Sequence, residues 1–133
     1  AALRATGMSR QKVTYARELA KAVASGTLNL TSLSTMESSA ARAALTGVKG
    51  IGEWTATIYQ MLAILHPDVW PHGDRALALS VRNIMGLRTV PDQKRLERLG
   101  RRYKPWRSVA ARLYWYHYLD GGNPQPDGEP AHV

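Results

Sequence analysis

The sequence predicts an all-α fold. No segment alternates apolar and polar residues over more than a few positions, so strand signals are weak throughout. Apolar residues recur instead at helical spacing, in runs that open on capping residues and close on glycine or proline. About six helices are expected in one domain over residues 1–119, followed by a Gly- and Pro-rich solvated tail over 120–133.

Ser9 is a good N-cap, and the helix it opens runs to Gly26. Val13, Ala16, Leu19, Ala20 and Val23 fall on one face of it. Residues 27–36, rich in Thr, Ser and Leu, read as a connector, and 36–45 as a short alanine-rich helix. The stretch LTGVKGIGEWTA (45–56) then concentrates Gly47, Gly50 and Gly52 between two helices. A strongly apolar helix over 53–65 is broken by His66-Pro67. The loop 68–73 leads to a helix over 74–85, with Asp74 as its N-cap and Gly86 at its end. The next helix covers 91–103, with Pro91 suited to the first helical position. The last covers 104–119, again with a proline near its start.

Composition narrows the function. Cysteine is absent, which excludes disulfides, thiolate zinc sites and iron–sulfur clusters within these residues. No apolar stretch approaches the ~20 residues of a membrane span. Eighteen Lys and Arg against ten Asp and Glu give a net charge of +8, and thirteen of the eighteen are arginine. Arginine grips phosphate in a fork geometry, so nucleic acid is the first partner to test; a basic but uninvolved surface is the alternative.

The glycines between two helices allow two readings. One is a tight αα turn with glycine at the helix end. The other is a helix-hairpin-helix, h-x-G-h-x-G-h-G, with Val48 and Ile51 plugging the junction. Gly50 and Gly52 would then take positive φ, and backbone amides at the next helix start would bind phosphate. The interleaved apolar residues favour the second. Lys49 at the tip adds charge toward phosphate or is simply a solvated turn lysine.

Asp74 alone reads as an N-cap. Hairpin, helix, loop and aspartate in this order, however, resemble the helix-hairpin-helix (HhH-GPD) DNA glycosylase superfamily. The run YKPWRSVAARLYWYH is similar to that of the AlkA/MAG-type 3-methyladenine DNA glycosylases II. LRATGMSRQKVTYARELA looks like the helix before the hairpin in that branch, so the resemblance covers roughly residues 3–119.

The resemblance implies a monofunctional N-glycosylase that excises alkylated purines from double-stranded DNA. Asp74 would stabilise the oxocarbenium-like sugar, and Trp54, Trp115 and Tyr59 would hold the flipped base. Gly50, Gly52, Lys49 and Thr55 would meet the DNA backbone. No cofactor is required, though main-chain carbonyls of Thr46, Val48 and Ile51 would hold a sodium or potassium ion. Relatives with lyase chemistry carry lysine where this chain has Trp54, which points to water as the nucleophile. Trp106 is expected to pack at a helix start, and Arg107 and Ser108 to order the last helix and its loop. Trp70 would line or anchor the loop before Asp74, and His72 is expected to be a loop residue. The resemblance implies a cytoplasmic, nucleoid-associated location in a prokaryote and a nuclear one in a eukaryote.

The chain departs from that branch at its start. Several helices and an apolar wedge that precede the matching segment are absent, whether this is a fragment or a naturally short homologue. Their absence predicts costly base flipping and an exposed apolar face on the early helices that invites self-association. A non-catalytic hairpin module that only docks onto DNA is the competing function.

Overall fold

The computed structural model describes residues 2–121; of the tail expected over 120–133, residues 122–133 lie outside them. Among the described residues there are seven α-helices, two 3₁₀ turns and no strand. The helices are α1 (Ala2–Ala5), α2 (Arg10–Ala24), α3 (Ser38–Thr46), α4 (Glu53–Leu62), α5 (Arg75–Ile84), α6 (Gln93–Gly100) and α7 (Arg107–Leu119). The all-α expectation holds, with one helix more than the six expected because the first four-residue turn is helical. None of these helices is long and apolar enough to cross a membrane.

The chain forms two compact units, one up to His66 and one from Pro67. In the first, Ser9 caps α2 by accepting the Lys12 amide, and Glu37 caps α3 by accepting the Ser39 amide. Leu28, Leu33, Ala41, Leu45, Val48 and Ala56 form the core, with Ile51, Tyr59 and Ile64 against it. The connector thus contributes two of its leucines to packing. Gln60 is buried in α4 and donates to the Ser38 carbonyl at 2.7 Å, which ties the two hairpin helices together. Val13 is buried, but Leu19, Ala20 and Val23 on the same helix are exposed. They border an apolar groove of about 730 Å³ with Leu30, Tyr15 and Tyr59.

In the second unit α5 packs on α7, and Leu77, Val81, Leu96, Ala111 and Tyr114 are buried. The end of α5 is a Schellman motif: Gly86 (φ 61) donates to the Asn83 carbonyl, and Leu87 to that of Arg82 at 2.8 Å.

Three expected boundaries move, the last of them the start of the final helix, which begins at Arg107 and not at residue 104. The apolar run after the hairpin stops being helical at Leu62, because Leu65 turns left-handed (φ 60) and His66 donates back to the Gln60 carbonyl. Pro91 lies outside the next helix rather than at its first position. Asp92 is the cap, its carboxylate accepting the Arg95 amide at 2.8 Å.

Candidate functional site

The hairpin in the first unit runs from the end of α3 to the start of α4. Val48 is buried at the junction, and the Ile51 amide donates to its carbonyl at 3.0 Å, closing a tight turn. Gly50 sits third in that turn with φ 99, a conformation that a side chain strains. Its surroundings add a second demand. A Cβ on Gly50 would lie 2.3 Å from the Cγ of Tyr15, so the ring of α2 occupies that space. Gly52 differs: it is extended (φ −90, ψ 173), and a Cβ there would meet nothing within 4 Å. The expected positive φ is therefore found at Gly50 and not at Gly52, because only Gly50 makes the turn. Open space at Gly52 is still a clearing in front of the first turn of α4. The amides of Gly50 and Gly52 have no backbone acceptor among the described residues.

Lys49 and Thr55 are both exposed beside this clearing. Trp54, second residue of α4, is 48% exposed and so is not a core residue. Tyr59 lies five positions further, about 140° round the helix, and faces the apolar groove with Thr55. Trp54 and Tyr59 therefore do not share a face. The carbonyls of Thr46, Val48 and Ile51 are hard oxygen donors suited to a monovalent cation, and that of Val48 already accepts one amide. Among the described residues no group of three His, Asp or Glu could hold a metal ion.

The second unit carries Asp74, only 8% exposed, at the N-cap of α5. One carboxylate oxygen accepts the Leu77 amide at 2.7 Å and the Trp115 indole N–H at 3.2 Å. The structure thus brings together two expected site residues that are 41 positions apart. The indole fixes which way the carboxylate points, a role that sequence spacing did not reveal.

The loop that presents Asp74 is held at both ends. At its start, the Ser108 hydroxyl accepts the Val69 amide at 3.0 Å, and the Ser108 amide donates to the Pro67 carbonyl. Arg107 forks onto Asp68, at 2.6 Å from Nε to Oδ1 and 3.0 Å from Nη2 to Oδ2. Trp70 is buried against Gly100, stacks on Tyr103 and meets Tyr114 edge-on. It anchors the loop. Burial, and then the hydroxyl of Tyr103, push the Tyr114 phenol above its usual range. At the other end, the Gly73 amide donates to the Gln93 side-chain carbonyl at 2.8 Å. Trp106, expected to pack at the helix start, instead has a side chain that is 61% exposed; its amide donates to the Tyr103 carbonyl at 2.6 Å, while Arg107 and Ser108 tie the start of α7 to the loop.

The Arg107 guanidinium beside Asp68 holds that carboxyl below the usual carboxylate range. A depressed pKa stabilises the fold above the ordinary value of 3.8, and this contribution is lost as pH falls through the lower folded value. Asp68→Asn should therefore lower stability by about 1–3 kcal/mol at neutral pH. In thermal melts the gap to the parent should narrow below about pH 4; a gap independent of pH would contradict the assignment.

In sequence and fold the chain is similar to AlkA- and Mag-type 3-methyladenine DNA glycosylases, which bears out the resemblance drawn from its motifs. It is 30% identical over 71 residues to an alkylbase DNA glycosidase-like protein (mag2) of Schizosaccharomyces pombe, covering 53% of this chain and 33% of that one. A DNA-3-methyladenine glycosidase structure from Bacillus halodurans matches with a TM-score of 0.79 and 32% identity, over 88% of this chain and 54% of that one. The fold of the S. pombe 3-methyladenine DNA glycosylase Mag1, solved in complex with abasic DNA, matches with a TM-score of 0.79 at 24% identity, over 96% of this chain and 60% of that one. The chain spans 14–39% of the length of the curated relatives it matches. No family model matches it.

Proposed function

We propose that this chain is the catalytic part of a monofunctional DNA N-glycosylase. It removes alkylated purines of the 3-methyladenine type from double-stranded DNA by hydrolysing the N-glycosidic bond. The observation that carries the reading is Asp74, a carboxylate 8% exposed at a helix N-terminus and held by the Trp115 indole. An N-cap alone does not call for an indole bonded to the same oxygen, nor for a loop clamped at both ends. A hairpin module that only docks onto DNA requires neither.

In this mechanism the damaged base leaves with the bonding electrons of its C1′–N bond. An alkylated purine is already cationic, so it departs neutral without a proton from the protein. Positive charge develops on the sugar, and the Asp74 carboxylate stabilises it electrostatically. Water adds to C1′ and gives up a proton, leaving an abasic site. The chemistry parallels glycoside hydrolysis, which passes through a similar cation. An aromatic face attracts a cationic base by ~0.5–2 kcal/mol; Trp115 offers one beside Asp74, and Trp54 offers an exposed one on the hairpin helix. Gly52, Gly50, Lys49 and Thr55 meet the DNA backbone at the hairpin, where a sodium or potassium ion on the Thr46, Val48 and Ile51 carbonyls would bridge to phosphate.

Incubation with methylated duplex DNA should release free methylated purine and leave alkali-labile abasic sites. Binding without release would favour the docking module. Borohydride should trap no covalent protein–DNA complex, because the position of the attacking lysine in lyases is Trp54; a trapped complex would overturn the monofunctional reading.

A further inference from the structure

The face of α6 turned toward the Asp74 loop carries Gln93 and Glu97, one helical turn apart. Gly73, the residue before Asp74, has φ 69, and a Cβ there would meet nothing within 4 Å. Glycine is thus favoured by conformation and not by crowding, and the loop has an external tether. Gln93 supplies it through the 2.8 Å bond from the Gly73 amide. An N–H can only donate, so the side-chain carbonyl of Gln93 must face Gly73 and its NH₂ must face away. That NH₂ donates to Glu97 at 2.8 Å, and the same carboxylate oxygen lies 3.2 Å from His72 Nδ1. Glu97 fixes the amide against flipping. The Gln93 bond, and then His72, hold the Glu97 carboxyl below its usual range, so it is an ionised acceptor at neutral pH.

We propose that Gln93 is a positioning residue for Asp74, with Glu97 as the group that orients it. The proposal rests on the glycosylase reading for its kinetic consequence, but its structural half stands apart from it. Gln93 does not touch the reacting atoms. It sets the backbone from which the carboxylate is aimed, and misplacement of a catalytic group by about 1 Å costs up to ~100-fold in rate.

Three forms of the chain decide it: the parent, Gln93→Ala, and the exchange Gln93→Glu with Glu97→Gln. In the exchange, the new carboxylate accepts the Gly73 amide and the new amide donates to it, so both hydrogen bonds of the tether can re-form. Two signals are followed by NMR, the exchange rate of the Gly73 amide and the indole N–H resonance of Trp115. Gln93→Ala should speed Gly73 exchange by roughly 10-fold or more and shift the Trp115 signal, and the exchanged pair should restore both. Single-turnover release of methylated purine should fall about 10-fold in Gln93→Ala, with duplex affinity within about twofold, and recover in the exchanged pair. Unchanged Gly73 and Trp115 signals in Gln93→Ala would overturn the proposal whatever the activity. So would a moved signal with an unaltered release rate, or a failure of the exchanged pair to restore either. A parent that releases no base, or an Asp74→Asn variant that releases it normally, defeats the glycosylase reading instead. The NMR signals then decide the tether by themselves.

Discussion

Asp74→Asn is expected to leave the chain folded and to slow base release by about 10²–10³-fold. Asparagine is as good an N-cap as aspartate, and its side-chain oxygen can still accept the Leu77 amide and the Trp115 indole. What is lost is the negative charge. At a helix N-terminus that charge contributes ~0.3–1 kcal/mol to stability, so the melting temperature should fall by only a few degrees. Opposite a developing sugar cation the same charge is worth several kcal/mol, because the group is buried and already oriented. A large kinetic effect with a small thermal one is the signature expected. Equal rates for parent and variant would return Asp74 to a capping role.

Gly50→Ala should produce the largest loss of stability of any hairpin substitution, about 2–4 kcal/mol. Two costs add. The turn holds φ at 99, which a side chain tolerates poorly, and the new Cβ would meet the Tyr15 ring at 2.3 Å. Tyr15 is on α2 and its contact with the hairpin is rigid backbone against ring, so relief requires α2 to move. Gly52→Ala is the control. Its backbone is extended and its surroundings are open, so it should melt like the parent. If Gly52→Ala nevertheless weakens binding to undamaged duplex, the clearing serves the DNA backbone. Chemical denaturation and duplex titration of the two variants separate the fold from the grip. Equal stability for Gly50→Ala and the parent would show that Tyr15 can yield.

The helices were legible because their signals are local. Ser9, Asp74 and Gly86 each mark a terminus through a side chain or a φ that acts within four residues. The end of α4 was not, because an apolar run gives no sign that Leu65 will turn left-handed. Asp74 and Trp115 were named through motifs, while Asp68, Gly73 and Gln93 were not, and the contacts among these residues are long-range. Trp115 to Asp74 spans 41 positions, Asp68 to Arg107 spans 39, and Gly73 to Gln93 spans 20. No periodicity encodes such pairs. The glycines show the same limit. Gly50 and Gly52 look alike in sequence, but one is fixed by a ring 35 positions away and the other faces open space. Trp54 was legible as more than core only by its motif, and its 48% exposure agrees with that view.

Asp74 is proposed to face a cation at the sugar, and binding to a charged analogue tests that role most directly. Two duplexes would be compared, one with a neutral abasic sugar analogue and one with a cationic pyrrolidine at the same position. The parent chain should prefer the cationic duplex by at least about tenfold, as expected for a site complementary to the transition state. Asp74→Asn should bind the neutral duplex as the parent does and lose the preference. Equal affinity of the parent for both duplexes, or a preference that survives in Asp74→Asn, would contradict the account.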